Sequence, residues 1–253
     1  MVRVFRANSS SSTIEFDNKE YINKEYGGVS YTHIKVKAYE GNGIKRMLSI
    51  FQFAWRFFLF RNEFEKPDVI LQNIHAPFDF PVVWGAKRLN ARYIAEAWDL
   101  WPHYFVTFGL ISAKNPVMKW AYSIERKMYE KASDIIFTFE GGVDYLCWHK
   151  WTTVAKGKID IRKVHYINNG ILLKEFYDNV YQYPNDDADL NRKDKFKVIY
   201  LGSIRLVNNV KQLIDAANVL KGDDRFSFLI YGNGNDKPIL QKYVEDNHIA
   251  VSY

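Results

Sequence analysis

Runs of apolar residues alternate along the chain with amphipathic segments, in a rhythm typical of α/β proteins. Two continuous apolar runs bounded by turn residues, PDVILQNI and SDIIFTF, predict strands buried in a parallel sheet. The segment PVMKWAYSIERKMYEKA, with a proline in its first turn, predicts an amphipathic helix. Because the two kinds of pattern keep alternating, we expect βαβ units and a doubly wound parallel sheet.

The N-terminal part of the chain is predicted to contain two strands and a helix. Residues 2–5 form a short strand, residues 7–13 a polar, serine-rich loop, and residues 43–62 a helix that ends before Pro67. The segment GGVSYTHIKVKAY alternates apolar and polar side chains, which indicates a half-buried strand.

A polar segment interrupts the alternation and divides the chain. Residues 177–194 are acidic in the middle and contain Pro184, so we predict a linker without regular structure. Strand and helix patterns then resume. We therefore predict an N-terminal Rossmann-like domain over residues 1–176 and a second domain over residues 195–253.

Composition narrows the classes of partner. The formal net charge is +6, and the basic residues form no stripe, so we expect no nucleic-acid partner. Such an excess fits an anionic small ligand or an anionic membrane surface better. The single cysteine, Cys147, excludes an intramolecular disulfide and favours a reducing, cytoplasmic location. No signal peptide is predicted. No membrane span is predicted either, because arginines interrupt the most apolar segment, IKRMLSIFQFAWRFFLFRNEF.

A strand, a tight turn and a helix in KVIYLGSIRLVNNVKQLIDAANVL predict a site for phosphate. Gly202 permits a sharp exit from the strand, and Asn208 or Asn209 is the expected helix cap. A helix N-terminus beside parallel strands presents free N–H groups, and Arg205 and Lys211 are placed to pair with a diphosphate. The alternative is that both are ordinary surface cations of an α/β turn.

The strand FSFLIYGNG, which follows this helix, ends in two glycines. Gly232 and Gly234 would let the backbone approach a ligand closely. The segment GNGNDK lacks the third glycine of a dinucleotide fingerprint, so no dinucleotide site is predicted.

The segment EAWDLWPHY predicts a second group of site residues. Glu96, Trp98, Asp99 and His103 follow the strand ARYIA, at the carboxyl end where open α/β sheets bind ligands. Asp99 is suited to orient a hydroxyl or act as a base, and His103 can do either near neutral pH. The alternative is that Asp99 caps a turn and the aromatic residues fill the core.

The loop NIHAPFDF adds a weaker candidate at the same edge. His75 and Asp79 follow the strand PDVILQ, and they would lie on the same rim if the sheet is parallel. The alternative is a histidine with a purely structural role.

Several segments, in order, resemble the retaining glycosyltransferases of family 4, especially the bacterial branch that builds capsular, O-antigen and exopolysaccharide units. The distinctive elements are D-L-W-P and I-x-N-G, whereas the βαβ pieces are generic. The resemblance covers nearly the whole chain through EAWDLWP, GLISAKNPVMKWAYSIERKMYEKASDIIFTFEGGVDYL, VHYINNGILLKEF, YLGSIRLVNNVKQLIDAANVL and FLIYGNGNDKPILQKYV.

This resemblance implies the GT-B fold, in which two Rossmann-like domains face each other across a cleft, with the second incomplete here. In that family the first domain holds the acceptor and the second a nucleotide-sugar donor, and neither a metal nor another cofactor is required. By position, the donor site would comprise Gly202, Ser203, Arg205, Lys211, Gly232 and Gly234. The acceptor side would comprise His75, Glu96, Trp98, Asn169 and Gly170, with Asp99 and His103 as the catalytic candidates.

The sequence departs from the family pattern at both ends. The family's first strand and Gly-rich loop are not found before residues 2–5, and its pair of donor-binding glutamates is not found after HIAVSY. We therefore expect a truncated chain, with three alternative functions. These are transfer of a sugar to a glycan with retention, silent binding of an acceptor or subunit by an inactive fragment, and a reaction like that of nucleotide-sugar 2-epimerases.

The resemblance also implies partners and a location. The expected partners are a nucleotide-sugar and a glycan carried on polyprenyl diphosphate, which would place a cytoplasmic chain peripherally at the inner face of the membrane. An amphipathic helix with aromatic and basic residues is the candidate for contact with anionic lipid. It contains Trp55, Phe57, Phe58, Phe60, Arg46, Arg56 and Arg61. The alternative is that this helix packs on its own sheet.

Overall fold

Two compact units make up the chain, Met1–Gly170 and Ile171–Tyr253. The computed structural model describes residues 2–7, 14–39 and 43–252, so residues 8–13 of the predicted serine-rich loop lie outside the described part. The two units share no sheet, and each has its own apolar core.

The first unit contains a three-stranded sheet and a four-stranded sheet, in the orders β1-β3-β2 and β4-β5-β6-β7. The strands are β1 Arg3–Ala7, β2 Tyr21–Tyr26, β3 Val29–Ile34, β4 Val69–Asn73, β5 Arg92–Ala97, β6 Asp134–Phe137 and β7 Val164–Tyr166. The helices are α1 Ile44–Phe60, α2 Pro81–Leu89, α3 His103–Thr107, α4 Pro116–Lys131 and α5 Gly142–Trp148.

The four-stranded sheet is parallel throughout and forms the centre of this unit. Alternate residues of β5, namely Tyr93, Ala95 and Ala97, are buried, as the pleat of a strand requires. They pack in one core with residues of α4 and α5 such as Met128 and Leu146. The predicted strands are confirmed as β4, β5 and β6, but β4 is an edge strand rather than a buried one, with Val69 and Leu71 exposed.

The prediction for residues 27–39 was incomplete. The predicted strand exists as β3, but it ends at Ile34 and pairs antiparallel with β2, a strand that the sequence did not reveal. Gly27 and Gly28 join the two strands with φ of 56° and 78°, the positive values that a tight two-residue hairpin turn needs. The polar pattern YINKEY hid β2, because its last four residues are exposed.

Helices α1 and α2 pack closely against each other beside the three-stranded sheet. Phe57 of α1 lies in a core cluster with Ile34, Ala54 and Val82. A Cβ atom on Gly85 of α2 would lie 2.9 Å from Cε1 of Phe57, so this glycine permits the close approach. The prediction that Phe57 faces a membrane is therefore wrong: the residue is 6% exposed.

The second unit has a parallel sheet of order β10-β9-β8. Its strands are β8 Phe196–Leu201, β9 Phe226–Tyr231 and β10 Val251–Ser252, and its helices are α6 Leu173–Gln182, α7 Ala188–Asn191, α8 Val210–Val219 and α9 Lys237–Asp246. Residues of α8 and α9 such as Ile214 and Leu240 form its core with Ile230 of β9. The βαβ unit predicted after the polar segment is confirmed as β8, α8 and β9.

The polar segment 177–194 is not devoid of regular structure, so that prediction was wrong. Pro184 separates α6 from α7 as expected, but α7 is fastened to the second unit. Asp187 caps α7 by accepting from the backbone N–H of Asp189 at 2.9 Å, and the Tyr231 hydroxyl donates to Asp187 at 2.9 Å. Composition alone did not show these side-chain contacts with β9.

None of the described helices combines the length and apolar content needed to cross a membrane.

A carboxyl group lies inside the core of the first unit. Glu125 of α4 is fully buried, and the Tyr145 hydroxyl donates to its two oxygens at 3.1 and 2.9 Å. Burial raises the pKa of Glu125 well above its usual range, and this outweighs the lowering caused by the hydrogen bonds from Tyr145. The folded chain therefore holds this proton more tightly than the unfolded chain does.

We predict that, above about pH 5, Glu125→Gln makes the free energy of unfolding of this unit depend less on pH. A raised folded pKa stabilises fully below the unfolded value and less as pH rises towards the folded value, so the contribution of Glu125 to stability should shrink from about pH 5 upwards. Glutamine keeps an acceptor without titrating. Urea unfolding followed by tryptophan emission measures this unit selectively, because all seven tryptophans belong to it.

The control is Glu65→Gln, an exposed carboxyl, which should leave the profile as in wild type. Glu125→Ala, which removes the acceptor, should cost at least about 1–3 kcal/mol. Identical slopes above pH 5 in wild type and Glu125→Gln would contradict the prediction.

Candidate functional site

The carboxyl ends of β4, β5, β6 and β7 lie side by side at one edge of the four-stranded sheet. Asn73 of β4 pairs with Glu96 of β5, and Phe137 of β6 pairs with Ala97 on one side and Tyr166 on the other. The loops that follow the strands therefore share this edge, where open α/β sheets bind ligands. The predicted acceptor-side residues stand in or directly after these strands.

Asp99 lies just beyond the end of β5. Its side chain is exposed, and it makes no hydrogen bond or ion pair within the described residues. Trp98 beside it is 57% exposed, so its ring is open to a ligand rather than part of the core. Glu96 lies within β5 and is half-buried. Asp99 and Trp98 thus form an exposed polar and aromatic pair at the ligand-binding edge.

His103 occupies a different environment from Asp99. Its Nδ1 lies 2.8 Å from the Tyr122 hydroxyl, and its ring packs edge-on against Tyr145 and Trp148 with centroids 5.7 and 5.2 Å away. Burial lowers the pKa of His103 and raises the pKa of Tyr122 to about 12. Both shifts favour the uncharged forms of the imidazole and the phenol that share this hydrogen bond. No bond within the described residues connects His103 with Asp99 as a catalytic pair.

His75 and Asp79 organise the loop after β4. The His75 backbone N–H donates to the Asp79 carboxylate, and His75 Nδ1 lies 3.7 Å from the same carboxylate. Asp79 is 3% exposed, and its Oδ1 lacks a partner within the described residues. The His75 ring contacts the Trp101 ring edge-on at 5.6 Å. These contacts give both residues a structural role and leave the His75 ring partly accessible.

Sequence reasoning missed a groove at the end of β6 and β7. It has a volume of about 170 Å³, and Phe139, Glu140, Gly141, His165 and Tyr166 are among its lining residues. The available signal was the strand SDIIFTF followed directly by Glu-Gly-Gly. Asn169 and Gly170, predicted at this edge, lie exposed shortly after β7.

The predicted donor residues of the second unit lie in the turns after β8 and β9, except Lys211, which lies in the first turn of α8. These turns bind each other: the Gly202 N–H donates to the Tyr231 carbonyl at 3.0 Å, and the Ile204 N–H to the Asn233 carbonyl at 2.9 Å. A Cβ on Gly232 would lie 1.9 Å from the Gly202 carbonyl oxygen. Close packing between two turns therefore explains a glycine that we had assigned to ligand approach.

Gly234 has the same structural role. A Cβ at this position would lie 2.1 Å from the Ile204 carbonyl oxygen and 2.9 Å from the Ile204 nitrogen. The Asp236 N–H donates to that same carbonyl at 3.2 Å. Both glycines thus hold the turn of β8 in place, and any contact of theirs with a nucleotide stays a prediction.

The two predicted phosphate-binding cations differ in their contacts. Arg205 is exposed, and its side chain has no hydrogen bond or ion pair within the described residues. Lys211 binds both oxygens of Asp215 at 2.7 and 2.8 Å and lies 4.5 Å from the Tyr243 ring centroid. The hydrogen bond to Asp215 raises the pKa of Lys211. Arg205 is therefore available to an anion, whereas Lys211 is engaged on α8.

Two further predicted residues, Ser203 and Asn209, lie between β8 and α8. Ser203 is exposed, and its carbonyl accepts from the Tyr200 hydroxyl at 2.7 Å, which fixes the turn and leaves the side chain accessible. Asn209 directly precedes α8, but its backbone is left-handed with φ of 46° and its side chain makes no capping bond.

Within the described residues, no three His, Cys, Asp or Glu side chains are grouped to hold a metal ion.

The chain is similar to known proteins in structure and not in sequence. No protein-family model and no curated protein match the sequence. The apo structure of OtsA is similar with a TM-score of 0.60 and 10% identity, over 100% of this chain and 73% of that one. HepE of Anabaena in complex with UDP gives a TM-score of 0.54 and 12% identity, over 87% and 55%. The catalytic domain of starch synthase IV of Arabidopsis thaliana, bound to ADP and acarbose, gives 0.54 and 15%, over 94% and 60%.

These similarities establish the fold. The neighbours are GT-B structures, so the predicted fold class, α/β with Rossmann-like parallel sheets of the GT-B type, is confirmed. The chain spans 55% to 60% of the length of the HepE and starch synthase structures. At 10% to 15% identity the likeness concerns the fold alone.

We predict that Gly234→Ala loosens the turn after β8. The added methyl group would meet the Ile204 backbone, which cannot move without breaking its bonds to Asn233 and Asp236, so the change should cost about 1–3 kcal/mol. Hydrogen exchange of peptides covering residues 198–206 should become faster. Asn235→Ala, at the exposed neighbouring position, is the control and should leave exchange unchanged; equal protection in both variants would refute the packing role.

We predict that His149 limits the acid stability of the first unit. Its ring stacks on Trp151 with centroids 4.4 Å apart, and its Nε2 is buried without a partner within the described residues. Burial first, and the nearby His103 second, lower the pKa of His149 to about 4. Because the folded pKa lies below the unfolded value, wild type should lose stability as pH falls from about 6.5 to about 4.

His149→Phe should remove this loss, since phenylalanine stacks without taking up a proton. His149→Gln should also remove this acid loss relative to wild type although it lacks the ring, which separates proton uptake from stacking. Tryptophan-detected urea unfolding between pH 4 and pH 7 (approximate limits set by these pKa values) measures the effect. A wild-type acid slope retained by both variants would show that His149 is not responsible.

Proposed function

We propose that this chain binds a nucleotide-sugar and transfers its sugar to a glycan acceptor, in the manner of the retaining glycosyltransferases of family 4. One observation carries the proposal. Arg205, an exposed cation without a side-chain partner among the described residues, stands at the turn after the first strand of a Rossmann-like unit, where such units bind phosphate.

The structural neighbours support a nucleoside diphosphate as the ligand class. HepE of Anabaena was solved with UDP, and starch synthase IV with ADP and acarbose. Both share the fold of this chain at TM-scores of 0.54. A common fold alone does not determine activity, so the argument rests on the residues of the turn.

The donor turn can stabilise a leaving diphosphate without a metal. The guanidinium of Arg205 has two N–H edges for phosphate oxygens, and the exposed Ser203 hydroxyl adds a donor. The turn is held rigidly by its bonds to the turn after β9, so its donors need little reorganisation during reaction. As the bond from sugar to diphosphate breaks, the growing negative charge is best stabilised by such fixed cationic groups. Front-side attack of the acceptor hydroxyl would then retain the configuration.

The acceptor side of the proposal uses the edge of the first unit's sheet. The exposed carboxylate of Asp99 can orient an acceptor hydroxyl, and the exposed Trp98 ring can stack on a sugar face. The neutral His103 positions α3 through Tyr122 rather than meeting the substrate directly. We propose a polyprenyl-diphosphate-linked glycan of surface polysaccharide synthesis as the acceptor, with the chain at the cytoplasmic face of the membrane.

We predict that Arg205→Ala weakens the reaction more than Lys211→Ala does. Loss of charge-assisted bonds to a diphosphate should lower transfer by roughly tenfold or more, whereas Lys211 is already bound by Asp215. The measurement uses labelled nucleotide-sugars with a lipid-linked glycan acceptor, together with calorimetric titration of UDP, ADP and GDP.

The control is Lys193→Ala, which removes an exposed cation of the same unit. It should behave like wild type in both assays. A C2 epimer of the donor sugar would instead identify an epimerase, and nucleotide binding without product would identify a silent binding protein. Equal activity of Arg205→Ala and Lys193→Ala would contradict the assigned donor site.

A further inference from the structure

The three-stranded sheet carries polar side chains on one face that belong to no site described so far. Strand register places Arg6 of β1 beside His33 of β3, and Lys24 of β2 opposite Tyr31 of β3. Paired residues of neighbouring strands point to the same side, and so do alternate residues of one strand, so these four side chains share one face. The other face, which carries Ile34, packs in the core cluster with α1.

His33 is buried on this face although neither of its ring nitrogens has a hydrogen-bond partner within the described residues. The residue is 3% exposed, and both Nδ1 and Nε2 are buried. The Tyr31 ring lies nearly parallel to the His33 ring with centroids 6.3 Å apart, and the Tyr26 ring meets it edge-on at 6.1 Å. Buried polar atoms normally have a partner, so this ring marks a place where a ligand can supply one.

No carboxylate of the described residues balances the positive charges beside His33. Arg6 and Lys24 are exposed, and within the described part of the chain neither forms an ion pair or a side-chain hydrogen bond. Burial first, and then the charges of Arg6 and Lys24, lower the pKa of His33. Both cations are therefore close enough to act on the buried ring. Cations without a counter-charge repel each other, and a bound anion would relieve that repulsion.

Five side chains make up this outer-face group, namely Arg6, Lys24, Tyr26, Tyr31 and His33. The group is rich in hydrogen-bond donors, because a guanidinium and an ammonium ion only donate and the two phenol hydroxyls are bonded to no described residue. Arginine also binds the oxygens of a tetrahedral anion with two parallel N–H groups. Two fixed positive charges match the charge of a phosphate monoester better than the single charge of a diester.

The place of the group in the sheet also suits ligand binding. Arg6 and His33 are the last residues but one of β1 and β3, two parallel strands. Both therefore lie near the carboxyl ends of their strands, where α/β sheets bind ligands.

We propose that the outer-face group is a binding site for a phosphate monoester or a similar tetrahedral dianion. Arg6 and Lys24 hold the anion at the surface, and the phenol hydroxyls add donors. The buried His33 ring takes up a proton when the anion binds, because the added negative charge favours the imidazolium. This inference goes beyond the proposed sugar transfer, since none of the five residues belongs to the predicted donor or acceptor side.

The test is calorimetric titration of the whole chain, without nucleotide-sugar, at constant ionic strength. The ligands are inorganic phosphate, glycerol 3-phosphate and a glycerophosphodiester. We expect saturable binding of phosphate and of the monoester with a dissociation constant of about 1 mM or below, and weaker binding of the diester. Arg6→Met/Lys24→Met should weaken the binding at least roughly tenfold, because it removes both charges at exposed positions.

Two controls separate this site from others. Lys119→Met/Lys127→Met removes two exposed cations of α4 in the same unit and should bind phosphate as wild type does. Arg205→Ala should also keep this binding, which distinguishes the outer-face group from the proposed donor turn. Circular dichroism should show that all variants are folded.

Proton uptake by His33 has its own measurement. Sulfate is a tetrahedral dianion that does not titrate between about pH 5 and pH 8, so any pH dependence in that range comes from the chain. In an NMR titration of the histidines, His33 should show a higher pKa with sulfate bound than without it. By linkage, sulfate should bind more tightly as pH falls. His33→Phe keeps an aromatic ring at this position and should lose most of that dependence.

Four results would overturn the inference. They are no saturable binding of phosphate below about 10 mM, equal weakening in the Arg6/Lys24 and Lys119/Lys127 variants, equal affinity for the diester, and a His33 pKa that sulfate does not change. The assays contain no nucleotide-sugar, so any of these results leaves the proposed sugar transfer standing.

Discussion

Backbone pairing between parallel strands is the constraint on which both units depend. In the first unit it brings the ends of β4, β5, β6 and β7 to one edge, and in the second it brings the turns after β8 and β9 together. Parallel strands require crossover helices, and these helices supply the apolar cover for each sheet. The position of every candidate site residue follows from this pairing and not from local conformation alone.

Much of the fold follows from the alternation of apolar runs with amphipathic segments, since strands and helices repeat their apolar positions with different periods. The strands β4, β5, β6, β8 and β9 were predicted from it, but the sequence did not show that β4 and β8 are edge strands, with Leu71 and Leu201 exposed. Strand β2 and helix α7 were missed for a shared reason. Their stability comes from partners outside the segment itself, such as the pairing of Tyr21 with Ile34 and the bond from Tyr231 to Asp187, rather than from their own pattern.

The site was less predictable than the fold, since residue type does not reveal which neighbours have already used a side chain. Arg205 and Lys211 look alike in the sequence, yet only Lys211 is bound to a carboxylate. Asp99 and His103 are four positions apart, but one faces water and the other lies among aromatic rings. Gly232 and Gly234 were assigned to the approach of a ligand, whereas the contacts that the structure gives them are with another turn. Electrostatic and packing partners have to be seen in three dimensions.

The missing side chain at Gly85 has an effect on the opposite side of its helix. Because Phe57 fills the space that a methyl group would need, the distance between α1 and α2 is fixed there, and with it the spacing of the Phe58 and Trp84 rings outside. A substitution at this interior position would push the helices apart and change the spacing of these two rings without altering either of them. The geometry of the outer surface is thus set by a residue that lies beneath it.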